Sequence, residues 1–242
     1  MKIEIINTGA ELLTGRRLNT HVVWLGRRLV EMGHDVVRQV TVADTGLMIE
    51  EAVREALERV DGVITTGGLG PTSDDLTREH VARLLGRSLR EDSGIRGKLA
   101  DFYASRGRAV PDRVWVQAMV PEGALVMDNR NGTAPGFIFP GGEGRGWLAM
   151  LPGPPRELQP MFLEQLMPWM EREGAEGGGY CCVNLRCVGM GESQVEERIE
   201  GGLAACVGRG LEVAYCARPG EVAVRLSARG EGAGGVVAEA GS

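Results

Sequence analysis

The sequence predicts an α/β protein: a mostly parallel sheet with helices on both faces, followed by a small α+β module. Three observations carry this. Short apolar runs alternate with helix-period stretches through the first 173 residues. Several of those runs end directly in glycine or proline. The pattern then changes after the glycine-rich stretch 174–179, which reads as a linker. A chain of 242 residues accommodates one medium domain, 1–173, and a module, 174–242.

Residues 3–8 read as a buried strand that stops at Asn7-Thr8-Gly9. Leu18, Val22, Leu25 and Leu29 recur at helical spacing, which predicts a helix over 18–32 closed by Gly33. A strand over 36–42 follows, then an amphipathic helix over 48–60 with Ile49, Val53, Ala56 and Val60 on one face. Gly62-Val63-Ile64-Thr65-Thr66 is a short buried strand running into glycines. Helices are predicted over 75–85, 93–105 and 111–119, and short strands over 124–127, 136–139 and 147–151. A helix over 155–173 opens with Pro155 in its first turn. The module reads strand 180–188, helix 191–204, strands 211–217 and 221–228, and then a weak Gly/Ala stretch.

Composition narrows the function. The 37 glycines follow no fixed repeat, which excludes a fibrous chain. A formal charge of −6 disfavours nucleic-acid backbones as partners, although backbone N–H groups can still hold a small anion. The first residues form a strand rather than a leader, and no run reaches the roughly 18 apolar residues of a membrane span. A soluble cytoplasmic protein with no membrane partner is therefore expected. Cys181, Cys182, Cys187, Cys206 and Cys216 contain no CxxC pair, so buried free thiols are expected and zinc is not.

In parallel sheets ligands sit beyond the carboxyl ends of the strands. The connections 8–17, 43–47, 65–75 and 151–157 all follow strands and are expected to share one crevice. The strongest signal is Thr66-Gly67-Gly68-Leu69-Gly70-Pro71-Thr72-Ser73-Asp74-Asp75. Its glycines allow close approach to a ligand, and the following helix offers free N–H groups, so a nucleotide-like diphosphate is the expected occupant. The loop lacks the lysine of a P-loop and the spacing of a dinucleotide fingerprint. Asp74 and Asp75 would repel a bare phosphate, but a divalent cation could bridge them to it. One of them, Asp74, is also expected to cap the helix at Leu76 or Thr77. Asp44 is a turn residue or a carboxylate facing the same crevice, as metal ligand or water-orienting base. Glu11, Asn19, Thr20 and His21 flank the first strand–helix connection, Glu11 or His21 being equally readable as solvated surface groups. Gly132-Thr133-Ala134-Pro135-Gly136 and Pro152-Gly153-Pro154-Pro155-Arg156-Glu157 are turns that could reach the crevice or simply reverse the chain. No nucleophile triad is arguable from three histidines.

Together these loops resemble a known family, the competence/damage-inducible protein CinA. The stretches are Thr8-Gly9-Ala10-Glu11-Leu12-Leu13-Thr14-Gly15, Thr65 through Glu79, Asn131-Gly132-Thr133-Ala134-Pro135-Gly136-Phe137 and Leu151-Pro152-Gly153-Pro154-Pro155-Arg156-Glu157-Leu158. Gly189-Met190-Gly191-Glu192-Ser193 and Arg218-Pro219-Gly220-Glu221 resemble the family's small module, so the likeness covers nearly the whole chain. It implies a three-layer α/β/α molybdopterin-binding-like domain of the MogA/MoaB type and a KH-like module.

The resemblance also implies an activity: metal-dependent hydrolysis of ADP-ribose to AMP and ribose 5-phosphate. Mg²⁺, Mn²⁺ or Co²⁺ would be held by Asp44 and Asp75, which are also the catalytic carboxylates. Substrate contacts are implied for Glu11, Asn19, His21, Thr66, Gly67, Gly68, Gly70, Thr72, Asp74, Thr77, Gly132, Thr133, Gly153 and Glu157. Two positions depart from the family wording, Ala10 and the His21 of Asn19-Thr20-His21, and both bear on nucleoside selectivity. They favour the alternative, a crevice that binds molybdopterin or a nucleotide without turnover. A third reading is a scaffold with an empty crevice. A homo-oligomer is implied. Full-length relatives often carry an amidase domain, and no amidase activity is expected from these 242 residues.

Overall fold

The computed structural model describes residues 1–142, 146–173 and 179–242. Its central sheet forms around the shortest and most apolar runs. Strands β1 (Lys2–Thr8), β2 (Asp35–Val42), β3 (Gly62–Thr66) and β8 (Trp147–Leu151) pair in parallel, in the order β2-β1-β3-β8. Beyond β8 lie β7 (Gly136–Phe139) and β6 (Leu125–Met127), each antiparallel to its neighbour. Every residue of β3, β7 and β8 is buried. Successive side chains on a strand point to opposite faces, so this requires cover on both.

Two helix layers supply that cover. On one face, α3 (Gly46–Leu57) brings Ile49, Val53 and Ala56 against Ile6, Val63, Leu148 and Met150. Val81 of α4 (Thr77–Leu84) joins the same cluster. On the other face Trp147 of β8 meets Trp169 edge-on, with ring centroids 5.6 Å apart. Trp24 of α2 (Thr20–Glu31) likewise meets Phe162 at 5.4 Å. Trp169 and Phe162 belong to the rod formed by α6 (Pro155–Met161), a π-helical turn Phe162–Leu166 and α7 (Met167–Arg172). Pro160 inside α6 has no N–H for the ladder, and the hydrogen-bond spacing changes from Phe162, two residues later.

The chain divides into two compact units, Met1–Gly26 with Asp35–Ala175 and Arg27–His34 with Glu176–Ser242. In the second, β9 (Tyr180–Val188), β10 (Glu212–Arg218) and β11 (Glu221–Arg229) form an antiparallel sheet in the order β10-β11-β9. Val222, Val224 and Leu226 alternate inward and pack with Val195, Leu203 and Cys206 of α8 (Glu192–Val207) and Val237 of α9 (Ala233–Ala240).

Several expectations are corrected. The Gly/Ala tail is a helix, α9, because Ala233 and Val237 find a core to cover. The helix expected over 18–32 starts at Thr20, and Leu18 is 83% exposed. A short helix, α1 (Ala10–Leu13), and a ribbon of β4 (Leu89–Glu91) with β5 (Met119–Pro121) carry too few residues for periodicity to reveal. Segment Asp112–Ala118, expected as an α-helix, is a 3-10 helix after α5 (Ser93–Ala104). Of the five cysteines only Cys206 is buried, and Cys216 is exposed. Most of the expected linker, residues 174–178, lies outside the described residues. Among those described, no helix is long and apolar enough to cross a membrane.

Candidate functional site

The carboxyl ends of β1, β2, β3 and β8 deliver four loops to one crevice of about 350 Å³. Thr8, Glu11, Asn19 and His21 line it from the first connection and Asp44 from the second. Thr66, Gly67, Gly68, Gly70, Asp74 and Asp75 come from the third, and Gly153 and Glu157 from the fourth. Thr133 enters from the turn before β7.

The glycine loop is shaped by its neighbours. Gly67 and Gly68 have φ of +94° and +69°, a region that side chains strain against. A Cβ on Gly68 would sit 2.1 Å from the Thr77 hydroxyl, and one on Gly67 would sit 2.9 Å from the Thr8 carbonyl. The Gly67 N–H donates to the Leu151 carbonyl and the Thr77 N–H to the Gly68 carbonyl. The N–H groups of Gly68, Leu69 and Gly70 donate to no acceptor among the described residues. Behind the loop lies Arg78, fully buried, whose guanidinium donates to the Leu69 carbonyl at 3.4 Å and pairs with Glu79.

Asp74 does not cap α4, which corrects the expected helix over 75–85. The helix begins at Thr77 with no side-chain cap, because the Gly68 carbonyl already takes the Thr77 N–H. Asp75 folds back instead and accepts from the Thr72 N–H at 2.8 Å and from the Thr72 hydroxyl. Asp74 is exposed, and hydrogen bonding from Thr72 and the backbone holds its carboxyl below the usual range. Thr72, Thr77 and Gly132 do not line the crevice. Thr72 closes the turn and Thr77 is buried beneath Gly68. Gly132 leaves room for Glu157, whose Oε2 would be 2.2 Å from a Cβ there.

Asp44 Oδ2 accepts the Ala10 N–H at 2.8 Å, tying the second connection to the first. Glu157, 8% exposed in the first turn of α6, accepts from Asn129 Nδ2 at 2.8 Å. Asn19 Oδ1 accepts the Val22 N–H at 3.4 Å near the start of α2. His21 is 9% exposed, and its Nε2–H donates to the Gly153 carbonyl at 2.5 Å. That bond joins the first and fourth connections and fixes the tautomer.

Burial pushes the His21 imidazole below its ordinary value; the Gly153 carbonyl opposes this and Arg17 adds to it. The unfolded chain therefore takes up the proton first. The stability that His21 contributes is fully present above about pH 6.5 and declines as pH falls from there through the lower folded value. His21→Gln keeps an N–H for Gly153 and does not titrate. Its melting temperature should fall less than the wild type's between pH 7 and pH 5, and equal slopes would remove His21 from the acid response.

Five carboxylates line the crevice, Glu11, Asp44, Asp74, Asp75 and Glu157, against one arginine, Arg17. Among the described residues no group of three or more His, Cys, Asp or Glu side chains converges as a metal site. Asp44 and Asp75 each have Oδ2 engaged by the chain, and no hydrogen bond reaches either Oδ1 among the described residues. Gln117 and Leu18 line the crevice from outside the turns and connections expected to reach it. Gln117 sits in the 3-10 segment, where no periodicity marks which side chain faces inward.

Comparison with known proteins places the chain by family and fold. Residues 4–172 match the family described as "Probable molybdopterin binding domain", and residues 183–238 match the "Damage-inducible protein CinA KH domain". A CinA-like protein of Akkermansia muciniphila is 46% identical over 93% of this chain and 54% of its own length. A CinA-like protein of Desulfovibrio desulfuricans is 41% identical over 96% of this chain and 53% of its own. The chain thus spans about half the length of the curated relatives it matches. The crystal structure of CinA from Thermoplasma acidophilum, a protein of unknown function, superposes with a TM-score of 0.61 at 35% identity, covering 71% of this chain and 96% of that one.

Proposed function

We propose, from the premise that this chain belongs to the CinA family with a molybdopterin-binding-like main domain, that its crevice binds a nucleoside diphosphate sugar and hydrolyses it. The favoured substrate is ADP-ribose, with AMP and ribose 5-phosphate as products. One observation carries this reading: a loop with three unengaged backbone N–H groups stands in a crevice with five carboxylates and one arginine. The N–H groups suit phosphate, and the carboxylates repel it. A divalent cation resolves the conflict.

The residues fit such an ion. Mg²⁺ prefers oxygen ligands and is commonly held by one or two carboxylates plus substrate phosphates. The Oδ1 atoms of Asp44 and Asp75 are oxygens of that kind. When bound, the cation supplies charge neutralisation at the diphosphate. The chain supplies the rest. Gly68, Leu69 and Gly70 direct N–H groups toward phosphoryl oxygens whose charge grows in the transition state. Asp44 orients the water whose oxygen forms the new bond to phosphorus as the bridging P–O bond breaks. His21 holds the first connection to the fourth through Gly153, and Glu157, held by Asn129, ties the fourth to the turn before β7.

A second reading is ligand binding without turnover, as in a molybdopterin-binding protein. The description of the matched family favours it, as do Ala10 and His21, since His21 spends its Nε2–H on the protein's own Gly153 carbonyl. Incubating the protein with ADP-ribose and Mg²⁺, Mn²⁺ or Co²⁺ against EDTA separates the two. AMP formed only with metal is the expected result. No AMP with any metal, together with retained affinity for AMP or a pterin, would leave the binding reading.

A further inference from the structure

We infer that Gln117 reads the ring of the ligand, so that the crevice selects a phosphorylated purine or pterin over a bare phosphate; this rests on the ligand-binding reading above. Gln117 is 1% exposed yet lines the crevice, and its Oε1 has no hydrogen-bond partner among the described residues. Buried polar atoms are nearly always partnered, and one that is not, in the wall of a cavity, invites a partner from the ligand. Its backbone is held for the purpose. The adjoining Ala118 carbonyl accepts the Asp92 N–H at 2.8 Å, and Val114 and Ala118 pack with Leu99 in a small core.

The chemistry of the amide indicates what it meets. A glutamine amide carries a donor and an acceptor side by side, and a half-turn exchanges them. Adenine and pterin rings carry the complementary pair along one edge, whereas a phosphate only accepts. Asn19, on the wall made by the first connection, adds a donor. Its Oδ1 is committed to the Val22 N–H, and its Nδ2 has no partner among the described residues. Phosphate recognition falls to the glycine loop, and ring recognition to these two amides.

Calorimetric titration of the full chain with AMP, neopterin and pyrophosphate, each with Mg²⁺, tests this in wild type and Gln117→Leu. Leucine has nearly the same volume and cannot hydrogen-bond. The variant should lose about tenfold or more in affinity for AMP or for neopterin, with pyrophosphate affinity unchanged within about twofold. Whichever of the two is weakened identifies the ring. The melting temperature should hold or rise, since an unpaired polar atom has gone. Should Gln117→Leu fail to fold, Gln117→Met serves the same comparison. Unchanged affinity for both ring ligands, or an equal loss for pyrophosphate, would overturn the assignment while leaving the crevice a phosphate site. Wild-type protein that binds none of the three would overturn the ligand-binding reading and this inference with it.

Discussion

Asp75→Asn should lower metal-dependent hydrolysis of ADP-ribose by about 100-fold or more, with little change in melting temperature. The substitution separates two roles of one side chain. Asp75 Oδ2 closes the loop by accepting from Thr72, and an asparagine carbonyl can accept the same N–H. The turn and the path of Gly68 to Gly70 therefore persist. What is lost is the negative charge available to a cation. Losing groups that merely support a metal ligand costs roughly 10–100-fold, so losing the charge of a ligand should cost at least as much. The apparent Mg²⁺ requirement should rise as well, measured as turnover against Mg²⁺ concentration. Wild-type turnover at all Mg²⁺ concentrations would exclude Asp75 as a ligand. A large drop in melting temperature would instead assign it a purely structural role.

Arg59→Met should destabilise the main unit by about 3 kcal/mol, because it leaves a carboxylate buried without its best partner. Glu4 lies on β1 with its side chain 1% exposed, and Arg59 holds it through two hydrogen bonds of 3.0 Å. Arg59 is itself 37% exposed and Arg38 approaches Glu4 to 3.8 Å, so the expected loss sits at the lower end of the range for broken buried pairs. For a unit of this size the melting temperature should fall by about 6–12 °C. The double variant Glu4→Leu/Arg59→Met should recover much of this, since apolar groups can replace a buried pair at little cost. Thermal unfolding of the three variants forms the test. A drop under about 2 °C for Arg59→Met would show that Glu4 is held by other groups or stays hydrated.

Much of the architecture was legible because local chemistry and tertiary structure agree there. Val63 and Ile64 between Gly62 and the glycines of 67–70 can only be a short buried strand meeting a turn. The stripe Ile49, Val53 and Ala56 can only be a helix covering a sheet, and both are found so. The loops that line the crevice were legible for the same reason: parallel strands leave their carboxyl-end connections on one side. In the Thr66–Asp75 run, Gly67 and Gly68 take the positive φ that glycine permits.

What the sequence by itself determined, then, is the order of the longer strands and helices, the side of the sheet on which the loops gather, and the family. Tertiary structure alone decided which polar atoms are free. Asp75 rather than Asp74 closes the turn because the Gly68 carbonyl had already taken the Thr77 N–H. His21 donates to Gly153, 132 residues away. Gln117 lines the crevice from a 3-10 segment that no periodicity marks. Gly132 makes room for Glu157, 25 residues further along the chain. Each outcome depends on partners distant in sequence competing for the same donor, acceptor or space. Hydrophobic pattern is a property of neighbours along the chain, whereas satisfaction of a buried polar atom is a property of neighbours in space.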